Sequence, residues 1–276
     1  MTATAQPRAA SRGPAPRAGS LGRAATRALP PLVVIAAVVV LWELTTAGPG
    51  RHVIPPPSAI FAALSTERTL LQTSALATLY EALGGLAIGT VGGVAVAFAT
   101  ARWAAARDLL LPLAVGASAV PLIAVAPILN NWFGVLDPFS KMMMAALLVF
   151  FPITVNVTRG LTQVDPSALE LMRSYASGEW EVLRRVRIPN MLPFFFTALK
   201  VSTTLAFIGA IVGEFYGGTS EVLGRVVLTS ISGGSFDVAW AAILLGSLAA
   251  ITCYVTVTLT ERAAIPWYAA LRSGPG

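Results

Sequence analysis

Residues 159–192 run Arg159-Gly-Leu-Thr-Gln-Val-Asp165-Pro-Ser-Ala-Leu-Glu170-Leu-Met-Arg-Ser-Tyr175-Ala-Ser-Gly-Glu-Trp180-Glu-Val-Leu-Arg-Arg185-Val-Arg-Ile-Pro-Asn190-Met-Leu192. This is the longest and most charged internal connection of the chain, and it lies between two apolar runs, 140–158 and 193–215. Asp165-Pro166-Ser167 reads as a helix start, because Asp caps free N–H groups and Pro suits the first turn. A short helix follows to Tyr175, with Leu169, Met172 and Tyr175 near one face and Glu170, Arg173 and Ser174 on others. Ser177-Gly178 breaks it. A second short helix, Glu179 to Val186, ends before Ile188-Pro189. Two readings of these amphipathic pieces stay open: helices lying on a membrane surface, or a docking surface for a cytoplasmic protein.

The apolar runs around this segment set the fold class. The chain has 276 residues, 55% of them hydrophobic and 12% charged, with a mean hydropathy of +0.73. Soluble domains carry about twice that charge density, so a water-facing surface cannot be built. Apolar stretches recur at 30–47, 74–101, 109–129, 140–158, 193–215 and 237–260. Each is near the ~20 residues that a helix needs to cross ~30 Å of hydrocarbon. Backbone groups in lipid must bond within their own segment, which makes these helices. The expected fold is all-α, six spans in contact with membrane lipid.

Charge placement orients it. With the amino terminus cytoplasmic, fourteen of the nineteen Lys and Arg residues fall inside and four outside, with Lys200 within the fifth span. That bias puts both termini in the cytoplasm and residues 159–192 with them. The excess of +6 therefore speaks to the bilayer and implies no nucleic-acid partner.

The remaining chain divides around these spans. Residues 1–28 hold five arginines and no acid, and read as a disordered basic cytoplasmic tail. Residues 29–73 hold the first span and an external segment in which Pro55, Pro56 and Pro57 force an extended stretch before a short helix at Ala59–Leu64. Residues 74–262 hold the other five spans and their connections, and 263–276 read as a cytoplasmic tail.

A single cysteine, Cys253, and a single histidine, His52, exclude a disulfide framework, a multi-Cys metal site and most His-based catalysis. Neither G-x-S-x-G nor H-E-x-x-H occurs. No metal site and no resident cofactor are expected. With no nucleophile, base and metal constellation, a membrane enzyme is disfavoured against a transporter.

Several residues within the spans carry alternatives. Gly85, Gly89 and Gly93 make a small face for close helix packing, either within the chain or between two copies. Pro121 and Pro127 interrupt span three, for a packing kink or for pore lining. Asn130 and Asn131 at its outer end, Asn156 in span four, and Thr203 and Thr204 in span five are candidates for a polar path. Glu214 is either a structural partner for a basic residue or an outer gate, since a carboxylate at a span end must face protein or water. Glu43 and Glu81 read as structural.

Glu170, Ala176 and Val186-Arg187-Ile188-Pro189 resemble the EAA loop of bacterial ATP-binding-cassette importer permeases. Leu171 and Met172 stand where that pattern has two alanines, and Ala176 where it has glycine, with Gly178 nearby as a possible source of flexibility. Pro55-Pro56-Pro57-Ser58, Trp132-Phe133-Gly134, Phe151-Pro152-Ile153, Val164-Asp165-Pro166 and Gly213-Glu214-Phe215 follow in family order. Together they resemble the nitrate, sulfonate and taurine branch, which includes permeases for thiamine pyrimidine precursors and riboflavin, over residues 30–265.

That resemblance implies the type I importer permease fold in a bacterial inner membrane, with two permeases pairing, here as a homodimer. It implies a cytoplasmic ATPase that binds ATP and magnesium, and an external solute-binding protein that delivers a small polar or aromatic cargo. ATP binding would turn the pore outward and hydrolysis would reset it. Leu169, Glu170, Met172, Arg173, Ser174, Tyr175 and Ala176 would form the coupling site, with Glu170 and Arg173 as polar contacts and Leu169, Met172 and Tyr175 as apolar anchors. The chain has no G-x-x-x-x-G-K-[ST] of its own. The competing expectation is an ion-driven secondary transporter or channel.

Overall fold

A computed structural model describes residues 20–48, 53–117 and 120–267. It falls into two units, residues 1–48 and 49–276. The first holds one helix, α1 (Ser20–Thr46), whose Val33, Val34, Val38 and Leu41 are all exposed. It starts ahead of the expected first span. Residues 1–19 of the expected basic tail, His52, and residues 268–276 of the expected C-terminal tail lie outside the described residues.

The second unit is built around three long helices. These are α3 (Arg68–Arg102), α6 (Pro138–Thr162) and α9 (Ile188–Tyr216). Helix α6 lies between the other two. Its Val149, Ile153, Val157 and Leu161, four residues apart, are fully buried against α3 and α9. The glycine face of α3 is used here, within the chain. A Cβ on Gly85 would sit 2.4 Å from the Ala145 Cβ, and one on Gly89 2.6 Å from the Ala146 carbonyl oxygen. From the other side, a Cβ on Gly209 would lie 2.6 Å from the Ala145 Cα. Helices in lipid gain by such backbone approach, because apolar side chains are no better off against each other than against acyl chains.

The shorter elements close around this core. Pro56 caps α2 (Pro57–Thr66) in extended geometry, as the triple proline predicts. The Trp240 indole N–H bonds the Val53 carbonyl at 3.1 Å and ties this segment to α11 (Phe236–Ala264). The expected third span, 109–129, is not one helix. Helix α4 (Ala104–Ala117) ends and α5 (Leu122–Phe133) starts anew. Pro121, extended at φ −62°, ψ 113° and lacking an N–H, interrupts the hydrogen-bond ladder. A further helix, α10 (Leu223–Gly233), occupies the stretch between spans five and six, where no helix is expected.

Among the described residues, four helices are long and apolar enough to cross a membrane: Arg68–Arg102, Pro138–Thr162, Glu179–Tyr216 and Phe236–Ala264. No strand occurs among the described residues. Helix α11 leaves Leu248, Ile251, Val255 and Leu259 exposed. An apolar flank of that extent suits lipid rather than water.

Candidate functional site

The loop after α6 begins with a built cap. The Asp165 carboxylate accepts the Ser167 N–H at 2.9 Å and the Ser167 hydroxyl at 2.7 Å. Those bonds favour the charged form and hold its pKa below the ordinary carboxylate value. Pro166 fills the first turn of α7 (Pro166–Ser174), whose last-turn Ser174 hydroxyl bonds back to the Leu171 carbonyl at 2.7 Å. Helix α7 buries none of its residues. Leu169 and Met172 are half-buried, turned toward the rest of the chain, whereas Glu170, Leu171, Arg173, Ser174 and Tyr175 are exposed. Leu171 is 57% and Tyr175 74% exposed. Positions 170, 171, 174 and 175 share one face of a helix. The free apolar surface is therefore Leu171 with Tyr175, and the sequence pattern alone misses Leu171.

Ala176 ends α7 in an unusual way. The Ser177 N–H bonds the Met172 carbonyl at 3.1 Å, and the Ala176 N–H bonds that of Arg173 at 2.9 Å. This is a Schellman closure, which places its turning residue in the left-handed region and so favours glycine there. Ala176 occupies that position at φ 51°, the one non-glycine with positive φ among the described residues. Gly178 takes φ −70°, ψ 163°, open to any residue, and does not stand in for the missing glycine.

Beyond it the chain does not stop at Ile188-Pro189, as the proline suggests. Helix α8 (Glu179–Val182) runs through a π turn, Leu183–Arg187, into α9 without a break. The Ile188 N–H reaches back five residues to the Leu183 carbonyl. This wider turn sits directly before the proline, whose ring cannot join a regular α ladder. Asn190 then donates to the carbonyls of Gly160 at 2.8 Å and Gln163 at 3.1 Å, fastening the start of α9 to the end of α6.

The candidate path residues have separate surroundings among the described residues. Asn130 is buried and its side-chain oxygen accepts the Ser140 hydroxyl at 2.9 Å, while Asn131 is exposed. The Asn156 amide donates to the Pro152 carbonyl at 2.8 Å, and the buried Thr203 hydroxyl donates to the Lys200 carbonyl at 2.7 Å. Thr204 is exposed and lines an apolar groove of about 550 Å³ between α9, α10 and α11.

Glu214 has the clearest surroundings. It is fully buried, and its carboxylate accepts the Gly224 N–H at 2.5 Å while the Thr78 hydroxyl accepts the Leu223 N–H at 3.0 Å. Together they cap the start of α10, where free N–H groups and the helix dipole favour an acceptor. A Cβ on Gly224 would lie 2.8 Å from the Glu214 Oε2, so only glycine admits the carboxylate. Buried Glu81 of α3 and buried Lys141 of α6 lie within electrostatic reach. The Lys141 ammonium also donates to the Val135 and Asp137 carbonyls. An ion pair, Lys200 to Glu261 at 2.7 Å, links α9 to α11. Charges embedded in apolar spans must find partners, a rule that singles out Lys200 and Glu214 in the sequence without saying what they meet.

The structure is a bundle of membrane-length helices with an uncovered amphipathic helix on the connection between α6 and α9. Residues 89–267 match the family of binding-protein-dependent transport system inner membrane components, and the chain belongs to that family, the permease subunits of ATP-binding-cassette importers. The riboflavin transport system permease protein RibX of Chloroflexus aurantiacus is 32% identical over 92% of this chain and 96% of its own length. The formylaminopyrimidine transport permease protein ThiX of Halalkalibacterium halodurans is 31% identical over 87% and 96%. A chain from the crystal structure of an amino acid ABC transporter with histidines shares the fold, with TM-score 0.58 and 18% identity over 74% of this chain and 98% of that one.

Proposed function

We propose that two copies of this chain form the translocation path of an importer for a small aromatic heterocycle of the riboflavin or formylaminopyrimidine class. The cargo class rests on the named relatives RibX and ThiX. A solute-binding protein delivers the cargo outside, and a cytoplasmic ATPase that holds ATP and magnesium drives the cycle. In this reading α1 and the α4–α5 pair complete six spans, both termini are cytoplasmic, and the face of α7 that carries Glu170, Leu171, Ser174 and Tyr175 meets the ATPase.

The observation that carries the reading is the uncovered face of α7. Glu170, Leu171, Ser174 and Tyr175 present a carboxylate, a hydroxyl and two large apolar groups to the outside. That set suits docking into a protein groove. The Schellman turn at Ala176 and the continuous path from Glu179 to Tyr216 let a displacement of α7 reach the spans as rigid-body motion. The coupling requires the ATPase to hold α7 differently in its two states. Glu214, Lys141 and Glu81 fix the α10 end of the bundle in this scheme, and the cargo path lies between copies.

The test is uptake of labelled riboflavin into proteoliposomes holding the permease, its ATPase and its binding protein. Uptake should require internal ATP and fall at least about tenfold with Leu171→Asp. Uptake driven by a proton or sodium gradient without ATP would contradict the reading.

A further inference from the structure

A second feature lies between α3 and the loop. A cavity of about 1000 Å³ opens where the last turns of α3 meet α7, α8 and the π turn. Its walls differ in character from one part to another. Phe98 and Ala99 of α3 and Leu183 of the π turn are apolar and half-buried. Arg102, Arg173 and Arg187 also line it, against one acid, Glu179. The Arg102–Glu179 pair, at 3.5 Å with both side chains largely exposed, is weak and leaves the lining strongly positive. Trp103 and Trp180, exposed by 60% and 71%, complete it.

These three traits have one ligand in common. Tryptophan prefers the depth of the membrane interface. Basic pockets between helices on the cytoplasmic side suit acidic lipid head groups. An apolar wall beside the arginines takes the start of an acyl chain, which a free phosphate ester lacks. Of α7, Leu169 and Arg173 line this cavity, whereas the residues proposed above to meet the ATPase, Glu170, Leu171, Ser174 and Tyr175, do not. We infer that the cavity is a binding site for an anionic phospholipid of the cytoplasmic leaflet, with Arg102 and Arg187 on the phosphate and Trp103 and Trp180 beside the glycerol. The leaflet rests on the orientation proposed above; the lipid chemistry does not.

Native mass spectrometry of the full-length chain in mild detergent, offered phosphatidylglycerol or phosphatidylcholine, tests the site. The wild type should retain phosphatidylglycerol about tenfold better, since each interfacial arginine adds several-fold. Arg102→Gln with Arg187→Gln should remove the preference, and Arg102→Lys with Arg187→Lys should keep most of it. Elution volume and melting temperature check that both variants fold, and Arg187→Gln alone, which should lower the preference several-fold, carries the test if the glutamine pair does not. Equal retention of both lipids by the wild type, or an undiminished preference in a folded glutamine variant, overturns the proposal. Glycerol 3-phosphate competing as well as the lipid would make this a free phosphate ester site and overturn the lipid assignment. Displacement of the lipid by added ATPase would give the cavity to the ATPase and overturn it too. Detergent-solubilised protein has no sidedness, so failure here leaves the orientation standing. Labelling of a cysteine placed at Ser177, from one side of sealed vesicles, tests orientation separately.

Discussion

Where α3 meets α6, a Cβ on Gly89 would lie 2.6 Å from the Ala146 carbonyl oxygen, whereas α7 holds no buried residue. The first region is closed to any added atom. The second exposes Leu171, Tyr175 and a carboxylate that contribute little to the stability of the lone chain. A buried contact is selected for what it adds to the fold, and an exposed apolar helix face for what it adds to a complex. The same chain therefore keeps its stability in α3, α6 and α9, and the coupling surface proposed above lies apart from them, on α7. Substitutions in the two regions should separate cleanly into folding defects and assembly defects.

The largest expected effect is in the core. Gly89→Val would drive side-chain atoms into the α6 backbone, which neither helix can yield, and should cost about 3 kcal/mol or more. Thermal unfolding of the detergent-solubilised chain would show it, and a melting point near wild type would break the comparison at once. Next comes the α10 cap. Glu214→Ala leaves the buried Gly224 N–H without its acceptor and should cost about 2 kcal/mol by the same assay. Glu214→Gln, which keeps an acceptor, should cost less.

Effects at the loop are smaller in stability. Ala176→Gly removes the left-handed penalty of an L side chain at φ 51°, partly offset by the freedom glycine has when unfolded, for a net gain of about 0.5–1 kcal/mol. Hydrogen exchange of residues 166–177 would register it as slower opening. Acid should divide the regions in the same experiment. Asp165 has a folded pKa below its unfolded one, so its capping contribution is present above the unfolded value. That contribution is lost as pH falls through the folded one. Protection of α7, the intrinsic rate divided by the exchange rate at each pH, should fall over that window, and protection of α6 should not follow.

Much of this division is legible in the sequence. The ranges of α3, α6, α9 and α11 follow from apolar length, and the start of α7 from Asp165-Pro166-Ser167. The inward turn of the α3 glycines needs the structure, because small-residue spacing fits packing within a chain as well as between chains. The split at Pro121 was visible as a proline, yet hydropathy alone runs straight through it. The passage of the chain through Ile188-Pro189 was hidden, because a π turn leaves no composition signal. The exposure of Leu171 is not legible in the sequence, for a simple geometric reason. In a helix of nine residues the exposed face is set by how the helix lies on its neighbours, and hydrophobic periodicity equally picks Leu169 and Met172. The pairings of Glu214 with α10 and of Lys200 with Glu261 join residues that only the fold brings together.

The most direct test of the account is co-purification of the full-length chain with its ATPase, comparing the wild type with Leu171→Asp plus Tyr175→Asp. The account predicts that the wild type retains the ATPase, and that the double variant loses it while melting within about 0.5 kcal/mol of wild type, as surface changes do. An ATPase held equally by both proteins would contradict the assignment of α7 as the coupling surface.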